Sequence, residues 1–358
     1  MAWCSIPPST LSPNFPSKPP LNQVYSEIDM QQIQAELRDA AKLYGTAVAP
    51  GLLAGDANDD DDDGDGDGDE TDPEEEWTLR KACAKSLDEL SKIIGSDQFF
   101  ACLAQHLSAR MQSADWRHQE CALLAIGAVA PGCMSAIVAS GAMTGIFSHI
   151  VQVLQQPQQH FLIISIGCWT ISRVSSYFAR EKASVHGVLA ALCNYLGNDN
   201  PKVRENAVSA IATITEECRN VDARANIIDI SPNLAQYLAA CVQSYQGRML
   251  LIALDATEQL ALCCSLAAHA QVIVPPLMQR WAEFAQAAVT ASYDASALTT
   301  TGGDICVALL RTLNLVFTSV GPQVFPPFFE SVVHPSVQRV MAAVATDGEN
   351  EYYEQDGM

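Results

Sequence analysis

Metal-ligand spacing, catalytic signatures and positive charge are what this 358-residue chain has least of. Its twelve cysteines contain no C-x-x-C pair, and no histidines cluster near them at zinc spacing, so no metal site is expected. Cys83, Cys121, Cys168 and Cys218 fall in apolar helical stripes and read as reduced core thiols of a cytosolic or nuclear protein. There is no P-loop, H-E-x-x-H, nucleophile elbow or Gly-rich dinucleotide turn, so neither an enzyme nor a cofactor is expected. His106, His118 and His149 stand singly in helical stretches, and "TTGGD" at Thr300 to Asp304 reads as a loop between helices. No signal-peptide core is present, and no apolar run is expected to reach the ~18 residues of a membrane span. Lys and Arg number 20 against 41 acidic residues, a net charge of −21. Such a surface repels phosphate backbones and anionic membranes, which excludes nucleic acid and favours basic protein segments as partners.

The acidity is concentrated. The segment from Asp56 to Glu76 holds 14 of the 41 acidic residues and leaves 27 acidic against 20 basic elsewhere, or −7. It is a low-complexity run that cannot bury apolar surface, and a disordered loop over 49–76 is expected. Asp59, Asp61, Asp63, Gly64 and Glu70 satisfy the EF-hand pattern. A string of aspartates does so by chance, however, and Gly66 occupies a position where an apolar anchor is usual, so calcium is not the reading adopted. Residues 1–20 are Pro- and Ser-rich and read as a disordered leader; 346–358 read as a disordered acidic tail.

What is present is repetition. "WTLRKACAKSLDEL" from Trp77, "WRHQECALLAIGAV" from Trp116, "FLIISIGCWTISRV" from Phe161 and "KVRENAVSAIATIT" from Lys202 align as apolar stripes of helical period about 40 residues apart. Second stripes alternate with them: "FFACLAQHLSARM", "GIFSHIVQVLQQ" and "VHGVLAALCNYLG". Breaks are expected at Pro131-Gly132, Gln156-Pro157 and Asn200-Pro201. The period is that of HEAT and armadillo repeats. One helix pair cannot bury its own apolar face, so pairs stack along a line and leave a concave wall open. The predicted fold is an all-α HEAT-repeat α-solenoid, a superhelix of antiparallel helix pairs, with the end of one repeat over 21–48 and a repeat segment over 77–345.

Superposing the repeats places Lys85, Leu124, Ile166 and Asn206 at one position and Asp88, Gly127, Trp169 and Ser209 one turn later, two rows along the concave face if these are the inner helices. Leu124, Ile166 and Trp169 then form an apolar patch with Arg173 one turn on. An indole offers a flat face to proline or tyrosine and a guanidinium can bond peptide carbonyls, so the patch suits an extended peptide. Glu216, Glu217, Asp255 and Glu258 offer acceptors for basic residues of that peptide. The competing reading is that Trp169 is core packing and the carboxylates are solvated helix-face charges.

Taken in order, "YSEID" at Tyr25, the acidic run before "WTLRKACAKSLDEL", "GAVAPGCM" at Gly127, "CWTISR" at Cys168, "ATITEEC" at Ala212, "LLIALDATEQLA" at Leu250 and "VPPLMQRW" at Val274 resemble transportins. These are karyopherin-β nuclear import receptors that recognise the PY-type nuclear localisation signal. The resemblance implies a partial chain, covering the acidic loop and part of the cargo-binding arch. It implies a Pro-Tyr pocket at Leu124, Ile166 and Trp169, with Arg173 on the signal's backbone and Asp88 beside the tyrosine subsite. Glu205, Ser209, Glu216 and Asp255 would line the path of the signal's basic segment. Cargo proteins, nucleoporins and Ran-GTP are the implied partners, and shuttling between cytoplasm and nucleus the implied localisation. The family's main Ran-GTP surface lies in a part with no counterpart in this sequence. Lys85, Asn206 and Leu262 depart from the family's small, small and acidic residues. A generic HEAT scaffold or adaptor, or a truncated remnant of the receptor, are the alternatives.

Overall fold

The computed structural model describes residues 79–290 and 300–324, with 326, 330, 334, 335 and 338. The expected leader, the repeat end at 21–48, the acidic loop and the acidic tail lie outside the described residues. No strand occurs among the residues described. The chain divides into two units at Ile214/Thr215, and each is described by itself.

In the first unit, α1 (Leu79–Ile93), α3 (Trp116–Ala139) and α5 (Phe161–Arg173) stand in one layer, each packed on the next. The start of α8 (Pro201–Asn220) continues that layer through Ser165, whose Oγ donates to the Lys202 carbonyl at 3.3 Å and accepts from Asn206 Nδ2 at 2.6 Å. Behind it lie α2 (Ser96–Met111), α4 (Ala142–Leu154) and α7 (Lys182–Cys193), with the short α6 (Ser175–Phe178) following α5. The aligned stripes are therefore one layer of helices and the intervening stripes the other. Leu123, Ile126, Ile163, Ile171 and Leu189 are fully buried between them.

Local chemistry sets where helices begin. Asp115 caps α3 by accepting from the Arg117 N–H at 3.0 Å, and the Asn200 side chain accepts from Lys202 N–H at 3.0 Å just before Pro201 opens α8. His160 stacks on Trp116 with ring centroids 3.8 Å apart. Burial, then the Arg117 charge, lower its pKa from the ordinary histidine value. The neutral ring can thus accept from the Leu162 N–H at 3.3 Å and cap α5.

Four sequence expectations need correction. The helix expected to stop at Pro131-Gly132 continues to Ala139, because contacts with α1, α2 and α5 hold it across the proline. This α3, at 24 residues, is also long and apolar enough to cross a bilayer by length and composition. Its apolar residues Leu123, Ile126 and Ile137 are instead buried in the unit. Cys83 and Cys121 are exposed, whereas Cys168 and Cys218 are buried as expected. Burial pushes the Cys168 thiol well above its ordinary value and that of Cys218 up to about 12. Finally, "TTGGD" is not a loop but the first turn of α13 (Thr300–Val320).

At Gly132 the backbone of α3 comes close to that of α1. A Cβ there would lie 2.7 Å from the backbone carbon and oxygen of Ser91, and backbone cannot swing aside as a flexible side chain does. Gly132→Val is expected to destabilise the chain by about 1–3 kcal/mol through overpacking, read as a lowered midpoint in denaturant unfolding. An unchanged midpoint would mean that α1 can move away at no cost.

The second unit repeats the plan. Here α10 (Ser231–Ser244) pairs with α11 (Gly247–Cys263), and α12 (Ala270–Thr290) pairs with α13. Packing of α11 on α13 makes one layer and of α10 on α12 the other, while the short α9 (Ala225–Ile228) rests on α11. Arg280 fastens α12 to the turn between α10 and α11 by donating to the Tyr245 carbonyl at 2.9 Å and to Gln246 Oε1 at 2.7 Å.

Candidate peptide-binding site

In the first unit α5 has neighbours on both sides and another helix behind it, so few of its residues reach solvent. Trp169 and Arg173, one turn apart, are half-buried. The indole lies against α3 at Gly127, where a Cβ would come within 2.7 Å of Trp169 Cε3 and 2.9 Å of Cη2. Only glycine lets the ring lie so close. The Arg173 guanidinium carbon is 5.7 Å from the indole centroid, within reach of cation–π attraction. Its Nε donates to the Gly127 carbonyl at 3.3 Å. Burial pushes the Arg173 pKa down from the ordinary arginine value and the Asp88 charge opposes that shift; the group stays protonated.

Across from it on α1, half-buried Asp88 places Oδ1 3.9 Å from Arg173 Nη2. That oxygen is shielded from solvent and has no hydrogen-bond donor among the described residues. The other oxygen accepts from Lys92 Nζ at 3.0 Å. Hydrogen bonds to Asp88 and then Glu89 raise the lysine's pKa. An indole face, a cation with unused N–H groups and a carboxylate oxygen lacking a donor thus converge where α1, α3 and α5 run side by side. The arrangement suits a planar ring or proline on the indole and a hydroxyl donor at Asp88; it holds no nucleophile–base pair.

Of the other candidates in this unit, Leu124 is half-buried and Ser209 exposed. Three are not where an open groove requires them. Ile166 is 1% exposed and packs in the core rather than the patch, because α5 is enclosed on the side that carries it. Glu205 is 3% exposed and forms an ion pair with buried Lys202 at 3.2 Å, so its charge is already matched. Asn206, expected to face the groove, is likewise buried and bonded to Ser165. Lys85 is exposed.

In the second unit, Glu216 is half-buried and 3.4 Å from Arg219. Asp255 is half-buried and accepts from Gln259 at 3.3 Å. Glu258 is not available to a peptide: it is 5% exposed, 2.9 Å from Arg311 Nε, and accepts from the Thr312 hydroxyl at 2.7 Å. Leu262 is exposed on the same helix.

A HEAT repeat model matches residues 188–218. Over 58% of its length the chain is 31% identical to Transportin-1 of Oryza sativa subsp. japonica, covering 24% of that protein. It is 31% identical to Transportin of Dictyostelium discoideum over 58% of its length, covering 22% of that relative. This chain is similar to a segment of the transportins. It spans about a quarter of the length of these curated relatives. Kap121p solved bound to Pho4p matches with a TM-score of 0.58 over 92% of this chain and 28% of that one, at 16% identity. Kap121p solved bound to RanGTP matches with a TM-score of 0.57 over the same fractions, also at 16% identity. The fold class is accordingly the all-α HEAT-repeat α-solenoid expected from the repeats.

Residues that the transportin resemblance did not single out complete the site. Gly127 seats the indole, Pro131 lies four residues after it on α3, and Lys92 holds Asp88. Gly127 and Pro131 both lie in "GAVAPGCM", where the sequence shows a glycine four residues before a proline in a helical stripe but not what either one meets.

Proposed function

We propose that this chain is part of a nuclear import receptor of the transportin kind, and that its first unit binds PY-type nuclear localisation signals of cargo proteins. The observation that carries the reading is the Trp169–Arg173–Asp88 arrangement: a half-exposed indole bracketed by a guanidinium and by a carboxylate oxygen without a hydrogen-bond donor. Proline or tyrosine stacks on the indole, the tyrosine hydroxyl donates to the half-buried Asp88 carboxylate, and Arg173 donates its remaining N–H groups to peptide carbonyls. Within the first unit, Ser209 lies on the path of the signal's basic segment; Glu216 and Asp255 are half-buried carboxylates of the second unit. In the whole receptor, nucleoporins and Ran-GTP are the further partners, with Ran-coupled release of cargo and shuttling between cytoplasm and nucleus. An acidic chain of helical repeats suits this carrier role and not a nucleic-acid binder.

The test is binding of a fluorescent peptide carrying a basic segment, an arginine, a short spacer and Pro-Tyr, against the same peptide with Ala-Ala in place of Pro-Tyr. Micromolar or tighter binding that the control loses is the expected result. Equal binding of both peptides, or of neither, overturns the reading in favour of a HEAT scaffold.

A further inference from the structure

Proline inside a helix does two things to the residue four positions earlier: it has no N–H to donate to that carbonyl, and its ring pushes against it. In α3 the proline is Pro131 and the carbonyl is that of Gly127. This is the carbonyl that accepts from Arg173 Nε at 3.3 Å, and Gly127 is the residue whose missing Cβ seats Trp169. The carbonyl of a buried residue deprived of its helical donor needs another, and the guanidinium of the neighbouring helix is the donor present.

We infer that Pro131 is a positioning residue of the peptide site: by vacating the Gly127 carbonyl it anchors Arg173 Nε, and so holds the guanidinium against Trp169 with its terminal N–H groups turned outward to a peptide. This rests on the proposed reading of the site for its consequence, though not for its geometry. Fixing Nε leaves the two terminal nitrogens as the recognising pair, with Asp88 3.9 Å from Nη2. An arginine anchored in this way loses less rotamer freedom when it binds a ligand.

The experiment uses the full chain with Pro131→Ala, Arg173→Lys and the double variant. Alanine restores the N–H at 131, which closes the helical hydrogen bond to Gly127 and displaces Arg173. Because alanine suits a helix interior far better than proline, the variant is expected to melt higher, so misfolding does not obscure the result. The first readout needs no ligand: the Arg173 Nε–H resonance is expected to exchange slowly with water in the parent chain and fast in Pro131→Ala. The second is affinity for the Pro-Tyr peptide, expected to weaken about 5-fold, the size of one lost hydrogen bond, with no added loss when Pro131→Ala is combined with Arg173→Lys. Unchanged exchange at Nε overturns the inference whatever the affinity, as does a Pro131→Ala loss that persists in full in the Arg173→Lys background. If the parent chain ignores the peptide altogether, the proposed function fails and the exchange measurement alone decides this inference.

Discussion

Glu205→Ala is expected to destabilise the chain by about 3–5 kcal/mol, the range for removing one partner of a buried ion pair, while leaving affinity for a Pro-Tyr peptide unchanged. The Lys202 and Glu205 side chains are 6% and 4% exposed with 3.2 Å between the charged atoms, so water cannot replace the lost carboxylate. Urea denaturation and peptide titration on the same protein separate the two effects. The companion variant Lys202→Met/Glu205→Leu removes both charges and is expected to regain most of the stability, because apolar groups of similar volume often replace a buried pair without loss. A stable Glu205→Ala protein with weakened binding of the basic segment would reverse the assignment and return Glu205 to the cargo path.

Trp169→Ala is expected to weaken Pro-Tyr peptide binding by about 1–3 kcal/mol, roughly 5- to 160-fold, as for loss of an aromatic anchor. The indole is the only large flat surface among the site residues, and its removal also takes away the face on which Arg173 rests. Affinity measured by fluorescence anisotropy, alongside the melting temperature, tests this. Unchanged affinity with a large drop in melting temperature would make Trp169 a packing residue of the α3–α5 contact and nothing more.

Ile166 and Trp169 are neighbouring positions whose roles looked alike in the sequence. Superposing the repeats put Ile166 and Trp169 in adjacent rows of one helix face, and both entered the same patch. In the structure the first is 1% exposed and the second half-buried. A period of 3.6 says which residues share a face, but how far neighbouring helices cover that face depends on their separation and on their side chains. Glu205 and Glu258 show the same effect: both are buried, and their partners are Lys202, three residues earlier on the same helix, and Arg311, on a helix more than 50 residues away. Cys83 and Cys121 erred in the opposite direction, lying in apolar stripes yet exposed.

By itself the sequence determined the helical class, the repeat period, which stripes form one layer, and the nearness of Trp169 to Arg173. All of these follow from spacing along the chain, since a helix converts sequence separation into direction at a constant rate. Only the tertiary structure decided that α3 runs through Pro131, that Gly127 seats the indole, and that the carbonyl freed there meets Arg173. These depend on the approach of one backbone to another helix's side chains, a distance of a few ångströms that no pattern within a single helix encodes.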